Sequence, residues 1–226
     1  MAASKKNPQA KKRILIVDDH PMMRQGLAQL INGEPDLAIS WEAGNANQGL
    51  EMVLAHSPDL VLADISLPDK NGLELIKDIH AVRPTTAILV VSMHDEGLYA
   101  DRVLRAGGRG YIQKQEGGKQ LLVAIRQVLN GQIYVSGKMS EKILEIFSKH
   151  RPDSHDSPAA RLSDREFEVF QLIGGGKGTR EIAEKLHLSV KTVEVHRANI
   201  KRKLKLKSAT ELVRHAVQWV DAQGTV

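Results

Sequence analysis

The chain has 226 residues, of which 26% are charged, and a formal net charge of +5. This length suits two small domains better than one, and no apolar run approaches the roughly 18 residues needed to cross a bilayer, so we expect a cytoplasmic protein without membrane contact. The sequence has no cysteine, which excludes disulfides and thiolate metal sites.

Charge is distributed unevenly along the chain. Residues 13–135 carry 15 Asp and Glu against 11 Lys and Arg, whereas residues 159–226 carry 13 Lys and Arg against 8 Asp and Glu. An acidic body followed by a basic C-terminal part favours nucleic-acid binding by the end of the chain, although ordinary solvated lysines would give the same balance. We interpret the basic residues 1–12 as a flexible tail.

Short apolar runs alternate with amphipathic helical periods from Arg13 onward. The predicted strands are Ile14–Val17, Ala38–Glu42, Leu60–Ala63, Ala87–Val91 and Gly110–Gln113. The predicted helices lie near Met22–Asn32, Asn47–Ala55, Leu73–Val82, Leu98–Ala106 and Lys119–Asn130. This alternation predicts an α/β fold, a doubly wound five-stranded parallel sheet with helices on both faces.

Polar side chains follow four of the predicted strands. Asp18 and Asp19 follow the first strand, Asp64 the third, Ser92 the fourth and Lys114 the fifth. Any one of them alone could be a helix cap or a solvated loop residue. Because the carboxyl ends of parallel strands meet at one edge of the sheet, the joint pattern predicts a ligand site there.

The three carboxylates favour a hard divalent cation such as Mg²⁺, since crowded negative charges repel each other and Mg²⁺ prefers oxygen ligands. Asp19 and Asp64 are the best candidate ligands, Asp18 would hold a coordinating water, and the backbone carbonyl of Ser66 is a further candidate. Beside a cation, Asp64 could attack a phosphoryl group as a nucleophile. The ammonium and hydroxyl groups at the same edge would then stabilise the phosphoryl oxygens.

The strand-end motifs resemble those of the receiver domain of two-component response regulators. These motifs are IVDDH at Ile16–His20, ADISLPDKNG at Ala63–Gly72, VVSMHDE at Val90–Glu96 and GYIQK at Gly110–Lys114. The resemblance covers residues 13–133 and implies a flavodoxin-like sheet in which a sensor histidine kinase phosphorylates Asp64. It also implies that Ser92 and Tyr111 form a switch pair, in which the hydroxyl moves toward the phosphoryl group and the aromatic ring turns inward.

A phosphotransfer or phosphatase enzyme is the alternative for this half of the chain. Phosphohydrolases that use a strand-end aspartate usually carry a second acid two residues later, and here that position is Ser66. Without a general acid beside Asp64, we expect the phosphoryl group to stay on Asp64 as a signal and not to be hydrolysed rapidly. We therefore expect a protein that is not an enzyme.

In the second half of the chain, the alternation of strands and helices gives way to a linker and a series of helices. Residues 134–158 are interpreted as a linker with a short helix at Ser140–Ser148. The elements predicted after it are a helix opened by a capping box at Ser163 and Glu166, a helix at Thr179–Leu186, a longer helix from Ser189 to about Lys203, and a last helix from Ala209 to about Ala222. A helix, a short turn and a second helix predict a helix-turn-helix.

The longer helix has two different faces. Val193, Ile200 and Leu204 fall on the side that must face the small core. The opposite face carries Lys191, Glu194, Val195, Ala198, Lys201, Arg202 and Lys205. Small side chains between lysines allow close approach to base edges while the lysines bind phosphates, so this face is interpreted as a DNA recognition surface; a merely solvated face is the alternative.

Three segments resemble the LuxR-type helix-turn-helix domain: Leu162–Ile173, Thr179–Leu204 and the KSATELVRHA stretch. The assigned domain is 159–226, and the whole chain resembles the NarL/FixJ class. The resemblance implies base contacts by Glu194, Val195 and Ala198, backbone contacts by Lys191, Thr192, Arg197 and Lys201, and a tentative dimer seam at Leu212, Val213, Ala216 and Val217.

Together these motifs predict a DNA-binding response regulator in which phosphorylation of Asp64 controls dimerisation and promoter binding. The partners implied are a sensor histidine kinase, double-stranded promoter DNA, RNA polymerase and a second copy of the chain when phosphorylated or bound to DNA. A constitutive DNA-packing protein is the remaining alternative, but it would need no acidic pocket.

Overall fold

The structure is a computed structural model, which describes residues 10–141 and 161–223. The chain divides into two compact units, residues 1–144 and 145–226, and each is described by itself. Most of the predicted tail, most of the predicted linker and all but the start of the predicted helix Ser140–Ser148 lie outside the described residues. No helix in the described ranges is both long enough and apolar enough to span a membrane.

The first unit is built on a five-stranded, all-parallel sheet with the strand order β2-β1-β3-β4-β5. Its strands are β1 Lys12–Val17, β2 Leu37–Ala43, β3 Leu60–Ala63, β4 Ala87–Ser92 and β5 Gly110–Gln113. All four residues of β3 are buried, as expected for a central strand with helices on both faces. This order is the flavodoxin-like one, with its topological switch point between β1 and β3, so the predicted fold class is confirmed.

Five helices connect and flank these strands. They are α1 Pro21–Asn32, α2 Ala46–His56, α3 Gly72–Val82, α4 Glu96–Ala106 and α5 Gly118–Leu129. Asn45 caps α2 by accepting the Gln48 N–H, and Asn71 caps α3 by accepting the Leu73 N–H. Gly107 ends α4 at φ 104°, in the left-handed region that favours glycine. These caps fix where each helix begins or ends relative to the carboxyl edge of the sheet.

The chain after α5 stays packed on the first unit beyond residue 133. Tyr134 forms an isolated parallel bridge with Gly110 of β5, and residues 137–141 are helical. Tyr134 and Met139 are buried, with 7% and 4% of their surface exposed. The start of the segment predicted as a linker is therefore part of the packed unit.

The second unit consists, in its described part, of four helices: α6 Asp164–Gly174, α7 Thr179–Lys185, α8 Val190–Leu204 and α9 Ala209–Gln223. The predicted capping box is present, because Ser163 accepts the Glu166 N–H and Glu166 accepts the Ser163 N–H. Val193 and Ile200 of α8 are fully buried, which confirms the predicted inner side of that helix, and Leu204 is half-buried.

Glu166 joins the capping box to α8. Its carboxylate accepts hydrogen bonds from the Ser163 N–H at 2.9 Å and the Lys203 ammonium at 2.5 Å. Burial alone would raise the pKa of Glu166, but these hydrogen bonds outweigh it and lower the pKa below its ordinary value of 4.5. Glu166 therefore contributes stability that is fully present above pH 4.5 and is lost as the pH falls through its folded-state pKa.

We expect Glu166→Gln to destabilise the second unit by roughly 1 to 3 kcal/mol at pH 7, and the difference from wild type to shrink below pH 4.5. Urea unfolding followed by Trp219 fluorescence in a Trp41→Phe background would measure it, since the chain has two tryptophans. A difference that stayed constant from pH 7 to pH 3.5 would contradict this account.

Candidate functional site

The carboxyl edge of the sheet brings two aspartates and a lysine together. Lys114, which follows β5, places its ammonium nitrogen 2.7 Å from an oxygen of Asp18, after β1, and 2.7 Å from an oxygen of Asp64, after β3. All three side chains are at least 95% buried. Burial alone would lower the pKa of Lys114, but Asp64 and Asp18 outweigh it and raise the pKa, so the lysine is an ammonium ion.

The second oxygen of each buried aspartate is bonded to the backbone. Asp64 Oδ1 accepts the Ile65 N–H at 2.7 Å, and Asp18 Oδ1 accepts the His20 N–H at 2.8 Å. Both carboxylates are therefore held by one backbone donor and one ammonium donor, in charge-assisted hydrogen bonds. Both carboxylates lie at the edge where ligands of such sheets bind, and phosphorylation of Asp64 stays a prediction.

The same edge offers the donor set that a hard cation needs. One oxygen or nitrogen atom from each of Asp18, Asp19, His20 and Asp64 lies within 4.8 Å of the others. Asp19 Oδ1 is buried and accepts no hydrogen bond in good geometry from the described residues, although His20 Nδ1 is 2.6 Å away. A buried carboxylate oxygen without a donor is unfavourable unless a cation completes its environment. The residues therefore fit a divalent cation.

Ser92 and Tyr111 are packed next to this cluster. Ser92 ends β4 and is fully buried, and Tyr111 of β5 is 1% exposed. The Tyr111 hydroxyl donates to the His94 carbonyl at 2.8 Å, and burial of the phenol raises its pKa. The aromatic ring of the predicted switch pair is thus already turned inward.

Ser66 and His94 form a contact that the sequence did not suggest. The Ser66 hydroxyl lies 2.9 Å from His94 Nε2, so the two loops that leave β3 and β4 are joined beside Asp64. Ser66 lies three residues beyond β3 and His94 two residues beyond β4, so the pair has no periodic signal, and only the adjacency of β3 and β4 brings the two side chains together. Ligation by the Ser66 carbonyl stays a prediction.

In the second unit, the exposed side of α8 carries most of the residues predicted to contact DNA. Lys191, Glu194, Val195 and Ala198 are exposed, and Thr192, Arg197 and Lys201 are half-buried. Val195 is 52% exposed. Within the second unit, this side of α8 therefore presents small side chains between basic ones.

Hydrogen bonds order polar side chains at two places on this surface. The Thr179 hydroxyl, at the start of α7, donates to Glu194 Oε1 at 3.0 Å. The hydroxyls of Ser189 and Thr192 lie 2.7 Å apart, and Ser189 caps α8 by accepting the Thr192 N–H. The contact between Thr179 and Glu194 links two helices and could not be read from the period of either one.

The predicted dimer seam requires a correction. Leu212 and Ala216 of α9 are fully buried within the second unit, where α9 packs on α6, so neither side chain can contact a second copy without opening the core. Val213 is 39% exposed and Val217 is half-buried. Two of the four predicted seam residues therefore belong to the core of the domain.

Family models match both parts of the chain. Residues 14–126 match the response regulator receiver domain, and residues 160–216 match the bacterial regulatory proteins of the luxR family.

Known proteins resemble the chain over most of its length. It is 38% identical over 210 residues to the oxygen regulatory protein NreC of Staphylococcus haemolyticus, covering 91% of this chain and 97% of the relative. A LuxR-family two-component response regulator from Aurantimonas matches with 31% identity and a TM-score of 0.57, covering 62% of this chain and 99% of that one. A structure of two RcsB dimers bound to two parallel DNAs matches with 25% identity and a TM-score of 0.56, covering 93% and 99%.

The order of the motifs along the sheet, the basic helix-turn-helix that follows and these matches lead to the same family. The chain belongs to the NarL/FixJ class of two-component response regulators, transcription regulators in which a receiver domain precedes a LuxR-type DNA-binding domain.

Proposed function

We propose that a sensor histidine kinase phosphorylates Asp64 in the cytoplasm, and that this phosphorylation controls dimerisation and sequence-specific promoter binding. The observation that supports the proposal most strongly is the ammonium of Lys114 between the buried carboxylates of Asp18 and Asp64. It is a preformed positive group at the position where a phosphoryl group on Asp64 would bring negative charge.

In the proposed transfer, an Asp64 oxygen attacks phosphorus, and a new P–O bond forms while the bond from phosphorus to the donor breaks. With phosphohistidine protonated on its second ring nitrogen, the leaving group is neutral imidazole; with acetyl phosphate it is acetate. Neither leaving group requires a protein acid, which agrees with a hydroxyl residue at Ser66. Asp64 must give up its contact with Lys114 or share it, and the ammonium then pairs with the phosphoryl oxygens.

Mg²⁺ would be held by Asp19 and Asp64, with Asp18 supporting it, and would offset the negative charge of the carboxylates and the phosphoryl group. Asp18 and Asp64 each already have a lysine and a backbone donor, whereas Asp19 Oδ1 accepts no hydrogen bond in good geometry from the described residues, although His20 Nδ1 is 2.6 Å away. A cation would supply Asp19 with a partner for this oxygen.

We expect phosphate contacts from Lys191, Thr192, Arg197 and Lys201 to give affinity, and base contacts from Glu194, Val195 and Ala198 to give selectivity. Two-fold binding would match paired half-sites, and RcsB, which this chain resembles, binds DNA as dimers. With Leu212 and Ala216 in the core, the proposed seam reduces to Val213 and Val217. RNA polymerase is a further proposed partner.

Thr179 should tune this selectivity through Glu194. We expect Thr179→Val, which removes the hydroxyl but keeps the branched shape, to reduce the preference for the selected site over a single-base variant by roughly 3- to 10-fold. Phosphate-driven binding to unrelated DNA should not change, and Thr179→Ser should retain the preference. Fluorescence anisotropy with both DNAs measures the ratio. Wild-type selectivity in Thr179→Val would contradict a positioning role.

The experiment that tests the proposed function is a gel-shift assay on genomic fragments with Mg²⁺ and acetyl phosphate. Wild type should bind a subset of fragments more tightly with the phosphodonor, in a salt-sensitive manner, and Asp64→Asn should show no response to it. Equal, sequence-indifferent binding with and without acetyl phosphate would instead favour a constitutive DNA-packing protein. Sustained multiple turnover of a small phosphoester would favour an enzyme.

A further inference from the structure

The chain that leaves α5 is attached to the edge of the sheet at the strand that carries Tyr111. The Tyr134 N–H donates to the Arg109 carbonyl at 3.0 Å, and the Tyr111 N–H donates to the Tyr134 carbonyl at 2.9 Å. The Gln120 amide also donates to the Tyr134 hydroxyl at 2.7 Å. This segment precedes the DNA-binding domain in sequence. The part of the chain that leads to that domain is therefore attached to the strand that carries Tyr111.

A helical stretch begins directly after this attachment, at residue 137. Ser136 caps it, because its hydroxyl accepts the Met139 N–H at 3.2 Å and its carbonyl accepts the Ser140 N–H at 2.9 Å. A capping box would need Glu or Gln three residues after the serine, to accept the N–H of the cap residue. The residue at that position is Met139, which is buried and cannot accept it.

Glu96 supplies the missing acceptor from another helix. Its Oε1 atom accepts the Ser136 N–H at 2.6 Å. The same chain shows the arrangement within one helix at Ser163 and Glu166, where the acid accepts the Ser163 N–H at 2.9 Å. Glu96, the first residue of α4, thus completes a capping box for a helical segment 40 residues away in sequence.

Glu96 also follows the short loop, residues 93–95, that leaves the predicted switch serine Ser92 at the end of β4. The His94 N–H reaches Ser92 Oγ at 3.4 Å, and the His94 carbonyl accepts the Tyr111 hydroxyl at 2.8 Å. Glu96 is two residues after His94, so a movement of Ser92 toward Asp64 would pull on the backbone that holds Glu96. Lys114 links Asp64 to Ser92, because its ammonium donates to Asp64 and its N–H donates to the Ser92 carbonyl at 2.8 Å. From Ser92, the hydrogen bond to His94 and the backbone of residues 94–96 lead to the contact between Glu96 and the Ser136 N–H.

We propose that Glu96 is a latch: it caps the helical segment that starts at residue 137 while Asp64 is unmodified, and phosphorylation of Asp64 withdraws it, which frees residues 134–139 from the α4 and β5 side of the receiver. The latch rests on the proposed phosphorylation of Asp64, and the helix cap at Ser136 is the element that would respond to it. The bistable element is the cap, which is either completed by Glu96 or open to water.

Hydrogen–deuterium exchange of the full-length protein tests the latch. In unmodified wild type, the amides of Tyr134, Ser136, Met139 and Ser140 should be protected, since each has an acceptor. After treatment with acetyl phosphate and Mg²⁺, exchange in the peptide that covers 133–140 should become roughly tenfold faster. Glu96→Ala should show this faster exchange without any phosphodonor.

Two further variants separate a latch from a general loss of packing. Glu96→Gln keeps a carbonyl acceptor and should retain much of the protection, and Glu51→Ala, at an exposed position on α2, should behave as wild type. Slow exchange in the β3 peptide of every variant verifies that the receiver is folded. Wild-type protection of residues 133–140 in Glu96→Ala would overturn the latch.

Failure of the latch and failure of the proposed function give different results. The phosphoryl group on Asp64 is measured by intact mass in the same samples. If Asp64 becomes phosphorylated and DNA binding increases while residues 133–140 keep their protection, the latch is wrong and the function stands. If Asp64 takes up no phosphoryl group, the proposed function is wrong and release by phosphorylation is wrong with it.

Discussion

Replacing Lys114 with methionine is expected to destabilise the receiver domain by about 3–5 kcal/mol at neutral pH without divalent ions, because it leaves Asp18 and Asp64 as buried charges without their counter-ion. Both carboxylates lie 2.7 Å from the ammonium and are almost fully buried. Methionine has a similar length, so loss of packing should contribute little. Native-state hydrogen exchange of the β3 amides gives the free energy of opening for this unit.

Mg²⁺ is the control for this prediction. Because a cation at the same edge can replace the lost positive charge, millimolar Mg²⁺ should stabilise Lys114→Met more than wild type. The double variant with Asp18→Asn should also recover part of the loss, since one buried charge is removed. A stability equal to that of wild type in the absence of Mg²⁺ would contradict the assigned charge balance.

Replacing Gly72 with alanine is expected to cost at least 3 kcal/mol, at or above the upper end of the roughly 1–3 kcal/mol typical of overpacking. An added Cβ would lie 2.1 Å from the Asp64 carbonyl oxygen and 2.7 Å from the Ile65 Cα. These are backbone atoms that cannot rotate away, and the Gly72 N–H is also bonded to the Ile65 carbonyl at 2.8 Å. The substitution should therefore displace the strand end that carries Asp64.

Gly26 is the matched position for this test. It lies in α1, and apart from the adjacent residues and backbone of that helix no described atom comes within 4 Å of a Cβ built there. Gly26→Ala should therefore stabilise the receiver by about 0.5–1 kcal/mol through helix propensity and backbone entropy. Urea unfolding of both variants compares them directly. A neutral Gly72→Ala would show that α3 and the end of β3 can separate without loss.

The sheet could be predicted from the sequence because central parallel strands are apolar on both faces. The runs Leu60–Ala63 and Ile14–Val17 have no helical alternative of that length, and the strand order then brings Asp18 and Asp64 to one edge. The predicted strand residues were confirmed with small extensions, such as Ser92 at the end of β4. Capping residues with strong local signals, Ser163 and Glu166, were also correct.

The contacts that could not be predicted join elements with no periodic relation. Each of these contacts depends on how two loops or helix ends meet after packing. They are the contacts of Thr179 with Glu194, Ser66 with His94 and Glu96 with Ser136. Two of the four residues of the predicted dimer seam, Leu212 and Ala216, were wrong for a related reason. The apolar side of α9 is broad, and the sequence alone does not say which part of it packs against α6. In the structure, Leu212 and Ala216 lie in the buried part.

In the proposed function, the phosphoryl group on Asp64 determines promoter binding by the C-terminal domain. The most direct measurement follows both quantities in one sample, with phosphoryl occupancy of Asp64 from intact mass and affinity for a selected promoter fragment from anisotropy, as acetyl phosphate is added and then removed. We predict that affinity rises and falls with occupancy in the presence of Mg²⁺ and stays at its basal value in Asp64→Asn. Full promoter affinity in a sample whose Asp64 is unmodified, unchanged as occupancy increases, would contradict the account.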